Sequence, residues 1–201
     1  MADKLTLTDK GGDSKFLPHP TGQFPAVCVD AIDLGPKVKT FPGSPPSEGY
    51  EIALVFATGE RQEDGSLHTV SMSFTPSLNA KANLRKFLEA WRGRAYTEDQ
   101  VKGGVPMDKF VGVPAYLNIT HKTSAAGRTY AVVGSVMPLP KGLTAPTVAG
   151  YERAPYWQTR KEEYAKEVAA FRAAQVHAKP ESFDDFPEAL DHDDDPDSLP
   201  F

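Results

Sequence analysis

The sequence predicts a mainly β fold: a five-stranded barrel with one helix between its third and fourth strands, then a C-terminal helix and a disordered acidic tail. Three observations predict it. Five segments alternate side chains in the two-residue period of a strand, and one segment between the third and fourth carries a helical period. The last 21 of the 201 residues, Glu181 to Phe201, hold nine carboxylates and no Lys or Arg.

Met1 to Gly22 contains Gly11-Gly12, Pro18 and Pro20 without a sustained period, and predicts a flexible arm over residues 1–22. From Phe24 to Leu34, Val27, Val29 and Ala31 alternate with Cys28, Asp30 and Ile32, a first strand with both faces partly apolar. Gly35 to Gly49 carries Pro36, Pro42, Pro45 and Pro46 with Lys37, Lys39 and Phe41. Proline breaks ladders and helices alike, so this predicts a long basic loop. Tyr50, Ile52, Leu54 and Phe56 alternate with Glu51, Ala53, Val55 and Ala57. After a polar turn over Thr58 to Ser66, Val70, Met72 and Phe74 alternate with Ser71 and Ser73, so strands two and three form a hairpin.

Beyond Pro76, Leu84, Phe87, Leu88 and Trp91 fall at i, i+3, i+4 and i+7, one face of a helix that Ser77 or Asn79 caps and Gly93 stops. Lys81, Arg85 and Arg92, with Arg94, form a stripe expected to be a solvated face. Thr97 to Gly112 is polar and Gly-rich, with room for one short helix. Ala115, Leu117 and Ile119 alternate with Tyr116, Asn118 and Thr120. A turn over His121 to Arg128 leads into Thr129 to Met137, completing strands four and five. Residues 23–140 are thus the expected domain. Residues 141–180 form a linker and a helix over Tyr156 to Val176, with Tyr164, Val168, Phe171 and Gln175 on one face; residues 181–201 form the tail.

The net charge of −5 divides unevenly: outside the tail the chain carries +4. A mildly basic body with an acidic tail suggests a polyanion-binding domain and a protein-interaction segment. No window approaches the roughly 18 consecutive apolar residues of a membrane span, and the polar N-terminus lacks the pattern of a signal peptide. A soluble, cytoplasmic protein with no membrane partner is expected. Cys28 is the single cysteine, which excludes an internal disulfide and fits a reducing compartment.

Three strands, a helix and two strands is the order of the oligonucleotide/oligosaccharide-binding (OB) fold, which binds ligands over strands two and three with two loops as walls. Both loops are basic here. The first offers Lys37, Lys39 and Phe41, and the second His121, Lys122 and Arg128; the strands offer Tyr50, Tyr116 and Tyr130 as stacking platforms. Phe56, Phe74 and Trp91 are expected in the core. The nine residues together form the expected single-stranded DNA site.

The ending Asp193-Asp194-Asp195-Pro196-Asp197-Ser198-Leu199-Pro200-Phe201 resembles the C-terminal tip of bacterial single-stranded DNA-binding proteins: an acidic run, then an aliphatic residue, proline and phenylalanine, interrupted here by Pro196 and Ser198. Phe74-Thr75-Pro76-Ser77-Leu78, the run from Leu84 to Arg94 and the segment Val136-Met137-Pro138-Leu139-Pro140-Lys141-Gly142 look like phage-encoded proteins assigned to single-stranded DNA binding. That likeness covers about half the body. It implies an OB barrel, coating of exposed strands in phage DNA replication, recombination and repair, and recruitment of partner proteins. Physically, a phenylalanine behind a run of aspartates suits an apolar pocket with a basic rim, so Asp193, Asp194, Asp195, Asp197, Leu199, Pro200 and Phe201 form the expected partner-binding segment.

Catalytic classes fit poorly. The five histidines are scattered, no His-x-x-x-His or Cys-x-x-Cys spacing occurs, and no Gly-rich loop ends in Lys-Ser/Thr, so no metal, nucleotide or other cofactor is expected. The acidic run around His192 lacks the rigid scaffold that a nuclease metal site needs. The expectation is a non-enzymatic single-stranded DNA-binding protein, with self-association open. The alternative is an adaptor or decoy whose tail occupies host replication proteins while its body binds no DNA.

Overall fold

The computed structural model describes residues 18–177. Strands β1 (Gly22–Phe41), β2 (Ser44–Arg61) and β3 (Leu67–Phe74) precede helix α1 (Asn83–Arg92), short helix α2 (Glu98–Lys102) and a 3₁₀ turn (Met107–Phe110). Strands β4 (Pro114–Thr123) and β5 (Thr129–Met137) follow, then helix α3 (Tyr156–His177). The strands form one antiparallel sheet in the order β3-β2-β1-β4-β5. Edge strands β3 and β5 approach each other, but no ladder joins them; the sheet is open where a closed barrel was expected.

The expected long loop over residues 35–49 is instead ordered strand. β1 continues to Phe41 and returns through Pro42-Gly43 into β2, with Lys37 opposite Gly49 and Lys39 opposite Ser47. Gly43 has φ 78°, the left-handed conformation that a Pro-Gly turn requires at its second position. Pro45 and Pro46 lie where the register shifts between Lys39 and Phe41, a bulge that needs no ladder donor. Pairing of β1 with β4 stops at Val27, so Pro36 lies in a ribbon with one open edge.

From Glu51 to Thr58, β2 is buried on both faces. Ile52, Leu54 and Phe56 join Leu84, Phe87, Leu88 and Trp91 of α1 in the main core, where the Phe56 and Trp91 ring centroids are 5.1 Å apart. Ala53 and Val55 of the opposite face form a second cluster with Ile32, Leu34 and Trp157. α1 ends at Gly93, φ 68°, as expected. Its start is not capped by a side chain: Ser77 and Asn79 accept from the backbone N–H groups of Asn79 and Lys81 and close local turns instead. Cys28 is fully buried, and burial pushes its thiol up to about 12.

α3 docks along β1. Its seat is Trp157, two positions into the helix and 3% exposed, with Val168 also buried; of the expected face, Tyr164 and Phe171 are half-buried and Gln175 is exposed. Ahead of it, Arg153 clamps Asp30 through two hydrogen bonds (2.7 and 2.6 Å), and the Tyr151 hydroxyl donates to the same carboxylate. Burial pushes the Asp30 carboxyl up, but these donors outweigh it and hold it below the usual carboxylate range. No helix among the described residues is long and apolar enough to cross a membrane.

Candidate nucleic-acid interface

The β1–β2 ribbon projects past the start of α1, and between them lies a cleft of about 710 Å³. Alternation brings Lys37 and Lys39 toward it from β1, and Phe41 stands at the turn, 62% exposed. From the other side, the segment joining β3 to α1 contributes Thr75, Ser77 and Lys81. Three ammonium groups and an exposed aromatic ring therefore share one groove.

The three lysines are not equivalent. Lys37 Nζ bonds Glu51, a buried carboxylate that also accepts from Arg160 Nη2 (2.9 Å) and the Tyr164 hydroxyl (3.0 Å) of α3. Burial, and then repulsion from Arg160 and Lys39, holds the Lys37 ammonium below its ordinary pKa. Two cations divide one carboxylate, so Lys37 acts chiefly as part of the α3 anchor. Lys39 crosses the face of Gly49, where a Cβ would collide with its stem, and donates to Thr75 Oγ1 at 3.0 Å. Lys81 is exposed. Lys39 and Lys81 supply the cleft's available positive charge. Lys81, expected on a solvated stripe, owes its place at the cleft to a turn that no helical period describes.

Tyr50 lies on the same ribbon, opposite Pro36, with its hydroxyl donating to Asp33 Oδ2 at 3.0 Å. The remaining candidates sit on the β4–β5 hairpin. Tyr130, 42% exposed, pairs across the ladder with Lys122; Arg128 is exposed in the turn, and Tyr116 is half-buried opposite Pro25 and Met137. His121 donates from Nε2 to the His19 carbonyl at 2.7 Å. This hairpin runs past the start of β1, since Ile119 pairs with Gly22, whereas Lys37 to Phe41 end that strand. The two candidate groups are thus at opposite ends of β1. Trp157 covers the outer face of β2 between them, where an open ligand face over strands two and three was expected.

Comparison with family models, curated proteins and solved structures returns no match to this chain.

The histidines, scattered in sequence, meet in part. His19 is fully buried; its ring lies 5.4 Å from that of His68, and its carbonyl holds His121. Nδ1–H donates to the Pro20 carbonyl (2.8 Å), leaving Nε2 to accept from the Thr58 hydroxyl (2.6 Å), so the ring is satisfied when neutral. Burial, partly opposed by the bond to Pro20, holds its pKa below the ordinary value. Among the described residues no three His, Cys, Asp or Glu side chains are arranged to hold a metal ion. The expected partner-binding segment, Asp193 to Phe201, lies outside the described residues.

Proposed function

We propose that the protein binds single-stranded DNA without catalysis, in the cleft between the β1–β2 ribbon and the start of α1. The observation that carries this reading is the convergence of Phe41, Lys39 and Lys81 in one groove. An exposed ring stacks on any base and ammonium groups meet phosphates without regard to sequence, which is the chemistry of sequence-tolerant single-strand binding. A duplex hides its base faces, so it is the weaker ligand. The sheet order, with its seam between β3 and β5, fits a partly open OB barrel. The likeness of the Phe74 to Arg94 region to phage single-stranded DNA-binding proteins supports the same reading, and with it a role in phage replication, recombination and repair in the host cytoplasm. Tyr130, Lys122 and Arg128 on the β4–β5 hairpin extend the path for a longer strand. The acidic segment recruits replication or recombination proteins through Leu199, Pro200 and Phe201.

Titration of the full chain with fluorescent oligo(dT) and with blunt duplex DNA, at low and raised salt, tests this. Tighter binding to oligo(dT), weakening steeply with salt, is expected; equal or tighter duplex binding, or none to oligo(dT) at low salt, would sink it. Deleting Glu181 to Phe201 removes nine negative charges and leaves oligo(dT) affinity unchanged or raised, while pull-down of host proteins is lost. If the chain recruits host proteins but never binds oligo(dT), the adaptor reading replaces this one.

A further inference from the structure

A second cleft, of about 630 Å³, opens between the end of α1, α2, the 3₁₀ turn and the segment after β5. Its character is opposite to that of the lysine groove. The lining is mostly apolar and includes Trp91, Val105, Phe110, Val113, Pro138 and Leu139. Trp91 is 4% exposed and its indole N–H already donates to the Pro114 carbonyl (2.8 Å), so the ring leaves no polar demand. Val113 and Pro138 are exposed, and Val111 and Met137 beside them extend the apolar surface. Arg92 and Lys109 are the only charged residues in the lining. Arg92 is stacked on Tyr96, its guanidinium 4.0 Å from the ring centroid, and bonds a neutral amide, Gln100 Oε1, at 3.4 Å. An apolar slot whose two charged lining residues are both cations fits a short hydrophobic segment flanked by carboxylates.

The chain carries such a segment. We infer that this cleft seats the protein's own Leu199-Pro200-Phe201, with Asp193, Asp194, Asp195 and Asp197 facing Arg92 and Lys109. The match is in polarity and charge: the apolar Leu199-Pro200-Phe201 follows a run of aspartates, and the two charged residues of the apolar cleft are both cations. Reach is sufficient: Leu199 lies 22 positions beyond His177, a contour of about 70 Å. A domain of this size has a radius of gyration of about 15 Å. A tether of that length holds the tip at millimolar effective concentration, so weak contacts suffice for occupancy. The seated tip is hidden from other proteins, and a partner with a better pocket draws it out. The inference rests on the tip chemistry assigned above and is independent of DNA binding.

Amide NMR spectra of the full chain, beside a full chain carrying Leu199→Ser and Phe201→Ser, test it. Both changes lie outside the described residues. The Trp91 indole N–H and the amides of Val105, Phe110, Val113 and Leu139 should shift between the two proteins, equally at protein concentrations tenfold apart. Excess peptide spanning residues 191–201 should return the variant's signals to the wild-type positions; a peptide with Phe201→Ser should not. Lys109→Glu in the full chain should move the signals toward those of the tail variant. The inference is overturned if those signals coincide in the two proteins, if the differences gather around Lys39 and Lys81, or if they vanish on dilution, which would assign the tip to a second copy. No nucleic acid is present, so a negative result leaves the proposed DNA cleft untouched.

Discussion

Replacing Lys39 and Lys81 by alanine, singly and together, probes the electrostatics of the proposed cleft. For single strands the logarithm of affinity falls with that of salt by about 0.7 per phosphate neutralised. Each lysine that meets one phosphate should flatten the slope by about 0.7, and the pair by about 1.4. Between about 50 and about 200 mM salt, the affinity loss should shrink by about 2.6-fold for one lysine and about sevenfold for two. Lys37→Ala should change the slope less, because its charge is divided with Arg160 at Glu51; it should instead lower stability by weakening the α3 anchor. The assay is fluorescence anisotropy with oligo(dT) across a salt series, with circular dichroism to confirm folding. A folded double variant that keeps the wild-type slope would refute the assignment.

Phe41→Ala should weaken oligo(dT) binding about 5- to 150-fold, the equivalent of about 1–3 kcal/mol for one stacked base, and leave the denaturation midpoint unchanged because the ring is 62% exposed. Unchanged binding would remove the ring from the path. Trp157→Ala empties the seat between Ile32, Leu34, Ala53 and Val55, and should cost about 3–5 kcal/mol in urea denaturation; a loss under about 1 kcal/mol would mean that α3 is held chiefly by its ion pairs. His19 is depressed in the folded state, so the unfolded chain takes up its proton first as pH falls through about 6.5. Its contribution to stability is therefore full above that pH and is lost toward the lower folded value. Denaturation midpoints at pH 7.5 and 5.5 should fall further for wild type than for His19→Gln, and equal falls would contradict this.

Legibility in the sequence followed where each residue's burial is decided. Leu84, Phe87, Leu88 and Trp91 were readable because one helix face meets one core. Ala115, Leu117 and Ile119 were readable because β4 is buried on one side. The ribbon over residues 35–49 was not, since four prolines argue against a strand and only the cross-strand partner shows that they fall at a turn, a bulge and an open edge. Trp157 carries no periodic signal because α3 as a whole is weakly amphipathic, and its seat is built by the outer face of β2, whose apolar Ala53 and Val55 are the available clue. Lys37, Lys39 and Phe41 were singled out as a basic element and do line one cleft, while Lys81 joins them only through the turn after β3. The meeting of His19, His68 and His121 is likewise tertiary.

The most direct test of the cleft as the DNA site is photocrosslinking of the full chain to oligo(dT) carrying 5-iododeoxyuridine, followed by peptide mapping. A base stacked in the cleft predicts adducts on Phe41, and Phe41→Ala should abolish them while the protein stays folded. Adducts confined to Tyr116 and Tyr130 of the β4–β5 hairpin, with none on the ribbon, would contradict it.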